Sequence, residues 1–231
     1  MRGYRLTGGI RNRIRSIQER ISASAVRSGR SPEAVTLIAV TKTVPSERVL
    51  EAYEAGLRHF GENRVQEALP KIAALPSDIH WHLIGRLQSN KINKILGRFG
   101  IIHSVDSVAL GEDLSRRLSG SRQEILLEVN TSGEGTKAGV ETHRALETAR
   151  VLRGLPGLVV RGLMTIGPLT EEGERRRDAF RRLREVFEAI RIEAGPGFDI
   201  LSMGMSSDFE EAIEQGSTHV RVGTALFGER A

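Results

Sequence analysis

The chain alternates eight times between a short apolar stretch and a longer segment whose apolar residues recur at helical spacing. The first apolar stretch begins at Thr36 and is rich in β-branched residues, and the segment after it carries Val49, Leu50 and Tyr53. Short apolar runs of this kind indicate buried strands, and the segments that follow indicate amphipathic helices. Such alternation produces a parallel sheet, and a count of eight units favours a closed barrel over an open sheet.

The predicted elements fill the chain with short connections. The predicted strands cover residues 36–42, 59–63, 80–84, 101–105, 124–130, 158–164, 199–203 and 218–222. A loop is predicted at 131–139, and isoleucines at helical spacing predict an additional amphipathic helix at 10–28. No G-x-G-x-x-G pattern follows the first strand, which disfavours a dinucleotide-binding fold. The predicted fold class is therefore α/β, with residues 1–231 forming a single (β/α)8 TIM-type barrel and the N-terminal helix packed on it.

Composition limits the class of protein further. Of the 231 residues, 39% are hydrophobic and 27% are charged, which is typical of a soluble globular protein. No apolar run approaches the roughly 18 residues that indicate a membrane span, and the arginine-rich N-terminus lacks the apolar segment of a secretory signal. The absence of cysteine excludes disulfides and thiolate chemistry. We therefore expect a cytoplasmic protein with no membrane partner.

The formal net charge of +5 makes nucleic acid or a phosphorylated ligand a reasonable partner to consider. The most arginine-rich segment is the predicted helix at 175–191, where the arginines alternate with glutamate and aspartate. This alternation is typical of a solvated, salt-bridged helix face. We therefore do not expect nucleic acid to be a partner.

Lys42 is the first candidate for chemistry. It ends the first predicted strand, and Pro45 soon afterwards prevents the strand from continuing. In such a barrel the active site lies at the carboxyl ends of the strands. Partial removal of water from an ammonium there favours the neutral amine, which is the nucleophile that condenses with an aldehyde. The alternative is a lysine that simply extends to solvent at a strand end.

The two last predicted strands each lead into small hydroxyl residues at a predicted helix start. Ser206 and Ser207 follow the seventh strand, and Gly223 and Thr224 follow the eighth. Backbone N–H groups and hydroxyls in this arrangement bind phosphate well, and barrels commonly hold phosphate at this place. A ligand with both an aldehyde and a phosphate would join this site to Lys42. Pyridoxal 5′-phosphate and a phosphorylated sugar aldehyde, the substrate of a Schiff-base aldolase, both fit that description.

Several short segments carry a specific resemblance. They are Ala39-Val-Thr-Lys42-Thr, Phe60-Gly-Glu-Asn63-Arg-Val-Gln-Glu67, Trp81-His-Leu-Ile-Gly85, Leu87-Gln-Ser-Asn-Lys91, Val129-Asn-Thr-Ser-Gly133, Gly162-Leu-Met-Thr-Ile166, Leu201-Ser-Met-Gly-Met-Ser206 and Val220-Arg-Val-Gly-Thr-Ala-Leu-Phe-Gly228. As a set, spread over about residues 10–230, they resemble the pyridoxal phosphate homeostasis proteins of the YggS/PROSC family. That family is similar to the N-terminal barrel domain of alanine racemase, a fold type III pyridoxal phosphate binder.

The resemblance implies a cofactor and its site. Lys42 would carry pyridoxal 5′-phosphate as a Schiff base, and the chain would serve intracellular vitamin B6 homeostasis by buffering the cofactor and delivering it to pyridoxal phosphate-dependent apo-enzymes. The implied cofactor-binding residues are Lys42, Asn63, His82, Met203, Ser206, Arg221, Gly223 and Thr224. Of these, Ser206, Gly223 and Thr224 would hold the phosphate, and Arg221 would lie near the pyridine nitrogen.

Two departures from the family pattern lie near this site. Thr41 stands where the family commonly has serine before the lysine. Arg64 stands where an aromatic residue often follows the Glu-Asn pair. Neither removes a group that the cofactor requires, so they bear on the shape of the pocket.

The alternative to a carrier is a racemase-like enzyme that uses the same cofactor. A racemase needs an acid/base group on each face of the substrate carbon. In the racemases one is a tyrosine from a C-terminal domain of the partner subunit, whereas this sequence ends at Ala231 and has only Tyr4 and Tyr53. We therefore expect a carrier without dedicated turnover, with no catalytic residue, and a monomer. Glu62 and Glu128 remain candidates for acid/base groups or for orienting their neighbours.

Metal binding is not expected. His80 and His82 share one face of a predicted strand, but no third ligand stands at a plausible spacing.

Overall fold

The structure is a computed structural model that describes residues 9–133, 138–168 and 170–228. Within these residues nine parallel strands form one sheet, in which eight strands close into a barrel. The strands are β1 (Thr36–Val40), β2 (His59–Glu62), β3 (His80–Leu83), β4 (Ile101–Val105), β5 (Gln123–Asn130), β6 (Val140–Glu141), β7 (Leu158–Met164), β8 (Ile200–Met205) and β9 (His219–Val222). The predicted α/β barrel is confirmed.

Helices follow the strands along the described chain and cover the outside of the barrel. They are α1 (Ile10–Arg27), α2 (Ser46–Glu54), α3 (Val65–Ala74), α4 (Ile92–Ile95), α5 (Val108–Leu118), α6 (Ala145–Arg153), α7 (Gly173–Ala194), α8 (Phe209–Glu214) and α9 (Thr224–Phe227). Short 3-10 turns lie at Pro32–Ala34, Ser89–Lys91 and Thr142–Arg144. None of the described helices is both long and apolar enough to cross a membrane.

The barrel closes because the strand order runs β4-β3-β2-β1-β9-β8-β7-β5 and β4 also pairs with β5. In this order the first and last strands of the chain are neighbours, with Ile38 of β1 opposite Arg221 of β9. The residues that follow β1, β8 and β9 therefore meet at one end of the barrel. Short β6 lies outside the ring and pairs only with β5 among the described strands.

Two layers of side chains fill the fold. The larger core lies between the strands and the helices, and it includes fully buried Phe60, Phe180 and Phe209. A smaller apolar cluster is formed by Ile101, Leu126, Met164 and Ile200. Side chains of a strand alternate between its two faces, so one set of residues faces the helices and the other faces the barrel axis.

The helix predicted at 10–28 is confirmed as α1. Its isoleucines are buried at the predicted spacing, with Ile14 and Ile17 at most 3% exposed. The helix packs on α8 and α9, which hold it beside the end of the barrel where β8 and β9 finish. This placement brings the N-terminal helix to the predicted phosphate site.

Several boundaries differ from the sequence-based prediction. The helix predicted from Ser207 begins at Phe209, because residues 206–208 form a turn in which Asp208 accepts a hydrogen bond from the backbone N–H of Met205. The predicted helices after β3 and before β7 each begin with a 3-10 turn. Part of the loop predicted at 131–139 lies outside the described residues, since 134–137 are not described.

Candidate cofactor site

A cavity of about 880 Å³ opens at the carboxyl ends of the strands. This volume is within the range of small-molecule binding sites. All eight predicted cofactor-binding residues are described, and six of them line this cavity. The six are Lys42, Asn63, Ser206, Arg221, Gly223 and Thr224. The topology brings them together because parallel strands place all their carboxyl ends at one mouth.

Lys42 lies two residues after the end of β1 and is partly buried at the cavity wall. The residue after it, Thr43, has a φ of 61°, which is unusual for a β-branched residue. Its backbone N–H donates to the carboxylate of Glu67 in α3 at 3.2 Å. The chain therefore turns sharply after Lys42, and this strained turn is fixed from outside the cavity.

A buried polar cluster lies beneath Lys42. The Nζ of Lys71 in α3 donates to the carbonyl oxygen of Thr41 and to Oε1 of Glu62, both at 2.7 Å. The hydroxyl of Thr41 donates to the same Glu62 oxygen at 2.7 Å. Lys71 is 7% exposed, and Glu62 and Thr41 are fully buried. The cluster fixes the residue that precedes Lys42, which agrees with the expectation that Glu62 orients its neighbours.

The opposite side of the cavity carries the predicted phosphate-binding residues. The Ser206 hydroxyl oxygen accepts hydrogen bonds from the backbone N–H groups of Gly223 at 3.2 Å and Ala225 at 3.4 Å. These bonds tie the turn after β8 to the start of α9. Because a serine oxygen has two lone pairs and one proton, both acceptor sites are used and the proton remains for a further acceptor in the cavity.

Arg221 lies inside the barrel at the floor of this cavity and is 5% exposed. Its guanidinium donates to the Ser202 hydroxyl at 2.6 Å and to the Thr165 carbonyl oxygen at 2.8 Å. Burial lowers the pKa of Arg221 to about 10, and the charges of Glu128 and Asp208 oppose that shift. The group therefore stays charged at neutral pH and acts only as a donor.

Asn63 follows β2 and supplies an unsatisfied polar atom to the cavity. Its side-chain oxygen is buried and has no hydrogen-bond partner among the described residues. A buried acceptor without a partner is costly, so such an atom indicates a place where a ligand donor or water binds. Gly85 packs directly against the backbone of Asn63, since a Cβ on Gly85 would lie 2.2 Å from the Asn63 backbone carbonyl oxygen. Only glycine at 85 leaves room for this position of Asn63.

One charged residue of the cavity was not predicted from the sequence. Arg13 of α1 lines the cavity, and its guanidinium donates to the Leu226 carbonyl oxygen at 3.4 Å in α9. It brings a positive charge to the side of the cavity that holds Ser206. Arg13 lies three residues after Ile10 and four before Ile17, on the buried face of the helix. That spacing predicts a position on the buried face of α1, but only the packing of α1 against α9 brings Arg13 to the cavity.

The two remaining predicted residues, His82 and Met203, do not line this cavity. Met203 is fully buried in the core between strands and helices, because its side chain faces the opposite side of β8 from Ser202. His82 faces the barrel axis but lies one layer deeper than Ile84, which does line the cavity. Their predicted place in the pocket came from the resemblance, which did not account for the strand face of Met203 or for the depth of His82 along its strand.

Glu128 near the end of β5 is a second buried carboxyl group in the barrel. Burial raises its pKa from 4.5 to about 7, and Asp106 adds to the rise, while Arg221 and Arg86 oppose it. The folded protein thus binds a proton that the unfolded chain releases between these two pH values. The stability that this proton contributes is complete below pH 4.5 and is lost as the pH rises through about 7.

Replacing Glu128 with glutamine is expected to remove this pH dependence. The variant should unfold with about the same free energy as the wild type near pH 4.5, and it should be more stable by up to about 3 kcal/mol at pH 8. Urea unfolding at both pH values measures the difference. Glu112→Gln on the exposed face of α5 is the control. A stability difference between the variant and the wild type that does not change with pH would contradict the raised pKa of Glu128.

Comparison with known proteins agrees with this geometry. Residues 12–231 match the sequence model of the alanine racemase N-terminal domain. The chain is 45% identical to the pyridoxal phosphate homeostasis protein of Aquifex aeolicus over 221 residues, which cover 94% of this chain and 97% of that protein. It is 38% identical to the protein of the same name from Escherichia coli K12, covering 96% and 97% of the two chains.

Solved structures give the same result. PipY of Synechococcus elongatus, solved with PLP bound, is 42% identical and superimposes with a TM-score of 0.78 over 92% of this chain and all of that one. An unknown protein from Bifidobacterium adolescentis is 40% identical, with a TM-score of 0.90 over 95% of this chain and 94% of that one. The chain therefore belongs to the alanine racemase N-terminal domain family and, within it, to the pyridoxal phosphate homeostasis proteins.

Proposed function

We propose that the protein binds pyridoxal 5′-phosphate at this cavity, with Lys42 as its covalent anchor, and that it buffers the cofactor and delivers it to apo-enzymes. The observation that carries the proposal is the cavity itself, which holds the amine of Lys42 on one side and the Ser206 and Thr224 hydroxyls on the other. When bound, the cofactor would supply an aldehyde for condensation with the Lys42 amine, with release of one water. PipY, which is 42% identical and was solved with PLP bound, supports pyridoxal 5′-phosphate as the ligand.

The residues of the cavity fit the other parts of this ligand. Ser206, Thr224 and the backbone around Gly223 would hold the phosphate, with the charge of Arg13 nearby. The charged Arg221 can only donate, so it disfavours protonation of a pyridine nitrogen placed beside it. This weakens the electron sink on which most catalysis with this cofactor depends. The unsatisfied oxygen of Asn63 is available to a ligand donor.

The lining of the cavity favours a carrier over an enzyme. Among the described residues that line it, no histidine, tyrosine, aspartate or glutamate stands opposite Lys42 as a second acid/base group. Tyr53 lies in α2, where its hydroxyl donates to Asp78 at 2.8 Å, and it does not line the cavity. A racemase needs such a second group. Binding and release therefore fit these residues better than turnover.

The proposal is tested on the purified protein incubated with pyridoxal 5′-phosphate. We expect a yellow adduct that borohydride fixes onto the peptide containing Lys42, and loaded protein that restores the activity of a pyridoxal phosphate-dependent apo-enzyme. A colourless protein that forms no adduct would refute binding. Racemase or transaminase turnover at rates typical of enzymes would refute the carrier role.

Replacing Ser206 with alanine is expected to weaken binding of the phosphorylated cofactor by about tenfold, because the lost hydrogen bond is to a charged group. Affinity for pyridoxal, which lacks the phosphate, should change little. Fluorescence or absorbance titration with both ligands measures the two affinities. Equal losses for both ligands would show that Ser206 shapes the cavity in general and does not hold the phosphate.

A further inference from the structure

Five of the six histidines of the sequence gather in the described part of the barrel, towards the amino ends of the strands. Their rings contact one another, with centroids 4.8 Å apart for His59 and His80 and 5.1 Å apart for His82 and His103. The His219 ring lies 6.2 Å from that of His82. Barrel interiors are usually filled by branched apolar side chains, so five histidine rings at these positions are unusual.

Three of these histidines form one chain of hydrogen bonds. His59 Nδ1 lies 3.0 Å from His82 Nε2, and His82 Nδ1 lies 3.0 Å from His103 Nε2. His103 Nδ1 lies 3.1 Å from the Ser202 hydroxyl, which accepts from Arg221 at 2.6 Å. His59 and His82 line a second cavity of about 550 Å³ at the amino ends of the strands. These hydrogen bonds thus connect that cavity with the floor of the cofactor cavity, where Arg221 lies.

The protons in this chain of hydrogen bonds have only two consistent arrangements. A neutral imidazole has one donor and one acceptor nitrogen, so the donors of His59, His82 and His103 must all point the same way. A second proton on one inner ring would leave two donors facing each other. Burial keeps the pKa of His82 and of His103 well below the usual value, and the charge of Arg221 adds to the lowering at His103. The rings are therefore neutral, and the proton position on each ring determines which nitrogen of the next ring carries its proton.

Arg221 occupies the fixed end of the chain because a guanidinium only donates. Its position depends on two hydrogen-bond acceptors, the Ser202 hydroxyl and the Thr165 carbonyl oxygen. The carboxylates of Glu128 and Asp208 act on it through their charge. Of these groups, the Ser202 hydroxyl can rotate, and His103 is the partner that determines where its proton points.

We propose that His103, held by His82, is a positioning residue for Arg221. Through Ser202 it sets the direction in which the guanidinium points, and therefore the field that this charge exerts on the pyridine nitrogen of the bound cofactor. The second half of this inference, the effect on the bound cofactor, rests on the proposed function. The first half concerns Arg221 and its partners alone and can be measured without any cofactor.

A matched pair of variants separates the two links of His103. His103→Asn keeps a polar atom near the position of Nδ1, facing Ser202, and His103→Gln keeps one near the position of Nε2, facing His82. Ser202→Ala removes the hydroxyl, and His143→Gln on the exposed surface is the control. Circular dichroism and thermal unfolding establish that each variant is folded before it is compared.

The first measurement uses the cofactor-free protein. The hydrogen exchange rate of the Arg221 guanidinium, followed by NMR, should rise at least about tenfold in His103→Gln and Ser202→Ala, which corresponds to about 1.4 kcal/mol less protection. His103→Asn should have a smaller effect. Unchanged exchange in folded His103→Gln would overturn the proposal, whether or not the protein binds pyridoxal 5′-phosphate.

The second measurement uses the loaded protein. The pH midpoint of the cofactor absorbance should move upwards by about one unit in His103→Gln and Ser202→Ala, because a less well-held cation disfavours ring protonation less. The double variant should show the same shift as either single variant. A wild-type spectrum in both folded variants would overturn the positioning role. Absence of any adduct in the wild type would instead refute the proposed function and leave the exchange measurement to decide.

Discussion

Replacing Lys42 with alanine is expected to abolish covalent attachment of pyridoxal 5′-phosphate. No other lysine is among the residues lining the cavity in the described part of the chain, so the aldehyde has no second amine there. After incubation and removal of free cofactor, the wild type should keep its visible absorbance and the variant should lose it. Borohydride reduction followed by peptide mass analysis measures the attachment directly.

The Lys42 prediction has a matched control in Lys94→Ala. Lys94 is exposed in α4 and lies outside the cavity, so its variant should retain the wild-type spectrum. The phosphate-binding residues remain in Lys42→Ala, so weak noncovalent binding should persist and should still be sensitive to Ser206→Ala. A Lys42→Ala protein that forms as much borohydride-stable adduct as the wild type would refute the proposal that Lys42 is the covalent anchor.

Replacing Lys71 with methionine is expected to destabilise the protein by about 3–5 kcal/mol. The change leaves the fully buried carboxylate of Glu62 without its cation, and the second oxygen of Glu62 already has no hydrogen-bond partner among the described residues. The Thr41 carbonyl oxygen also loses a donor. Urea unfolding at pH 7 measures the loss. Because Thr41 precedes Lys42, cofactor attachment should weaken as well.

Two further variants identify the cause of this loss. Lys94→Met makes the same substitution at an exposed position and should change stability by less than about 0.5 kcal/mol. Adding Glu62→Gln to Lys71→Met removes the unpaired charge and should restore part of the lost stability. If the double variant is as unstable as the sum of the two single changes, the loss arises from packing and not from a buried charge.

The sequence was sufficient for the fold because the signal was repeated in every unit. Each apolar stretch and the helix after it agree in period and length, so errors of a few residues at boundaries such as the start of α8 do not change the architecture. The position of Lys42 at the barrel mouth then followed from strand polarity alone. The same reasoning located Ser206, Gly223 and Thr224.

Depth inside the barrel could not be predicted in this way. Strand alternation states which face a residue occupies, but the layer it reaches depends on register between strands. His82 pairs with Gly61 of β2 and Ile101 of β4, and this register places it below the cofactor cavity. Met203 has the opposite face of β8 and joins the outer core. Alternation along β8 gives the face of Met203, but the depth of His82 cannot be obtained from one strand in isolation.

The sequence by itself determined the barrel, the end at which a ligand binds and the lysine that faces it, since these depend on local periodicity and chain direction. The tertiary structure decided which distant residues support that site. Arg13 reaches the cavity through the packing of α1, Lys71 reaches Thr41 through the position of α3, and the histidine chain joins four strands to Arg221. These contacts depend on the register and packing of elements far apart in sequence, which residue spacing does not encode.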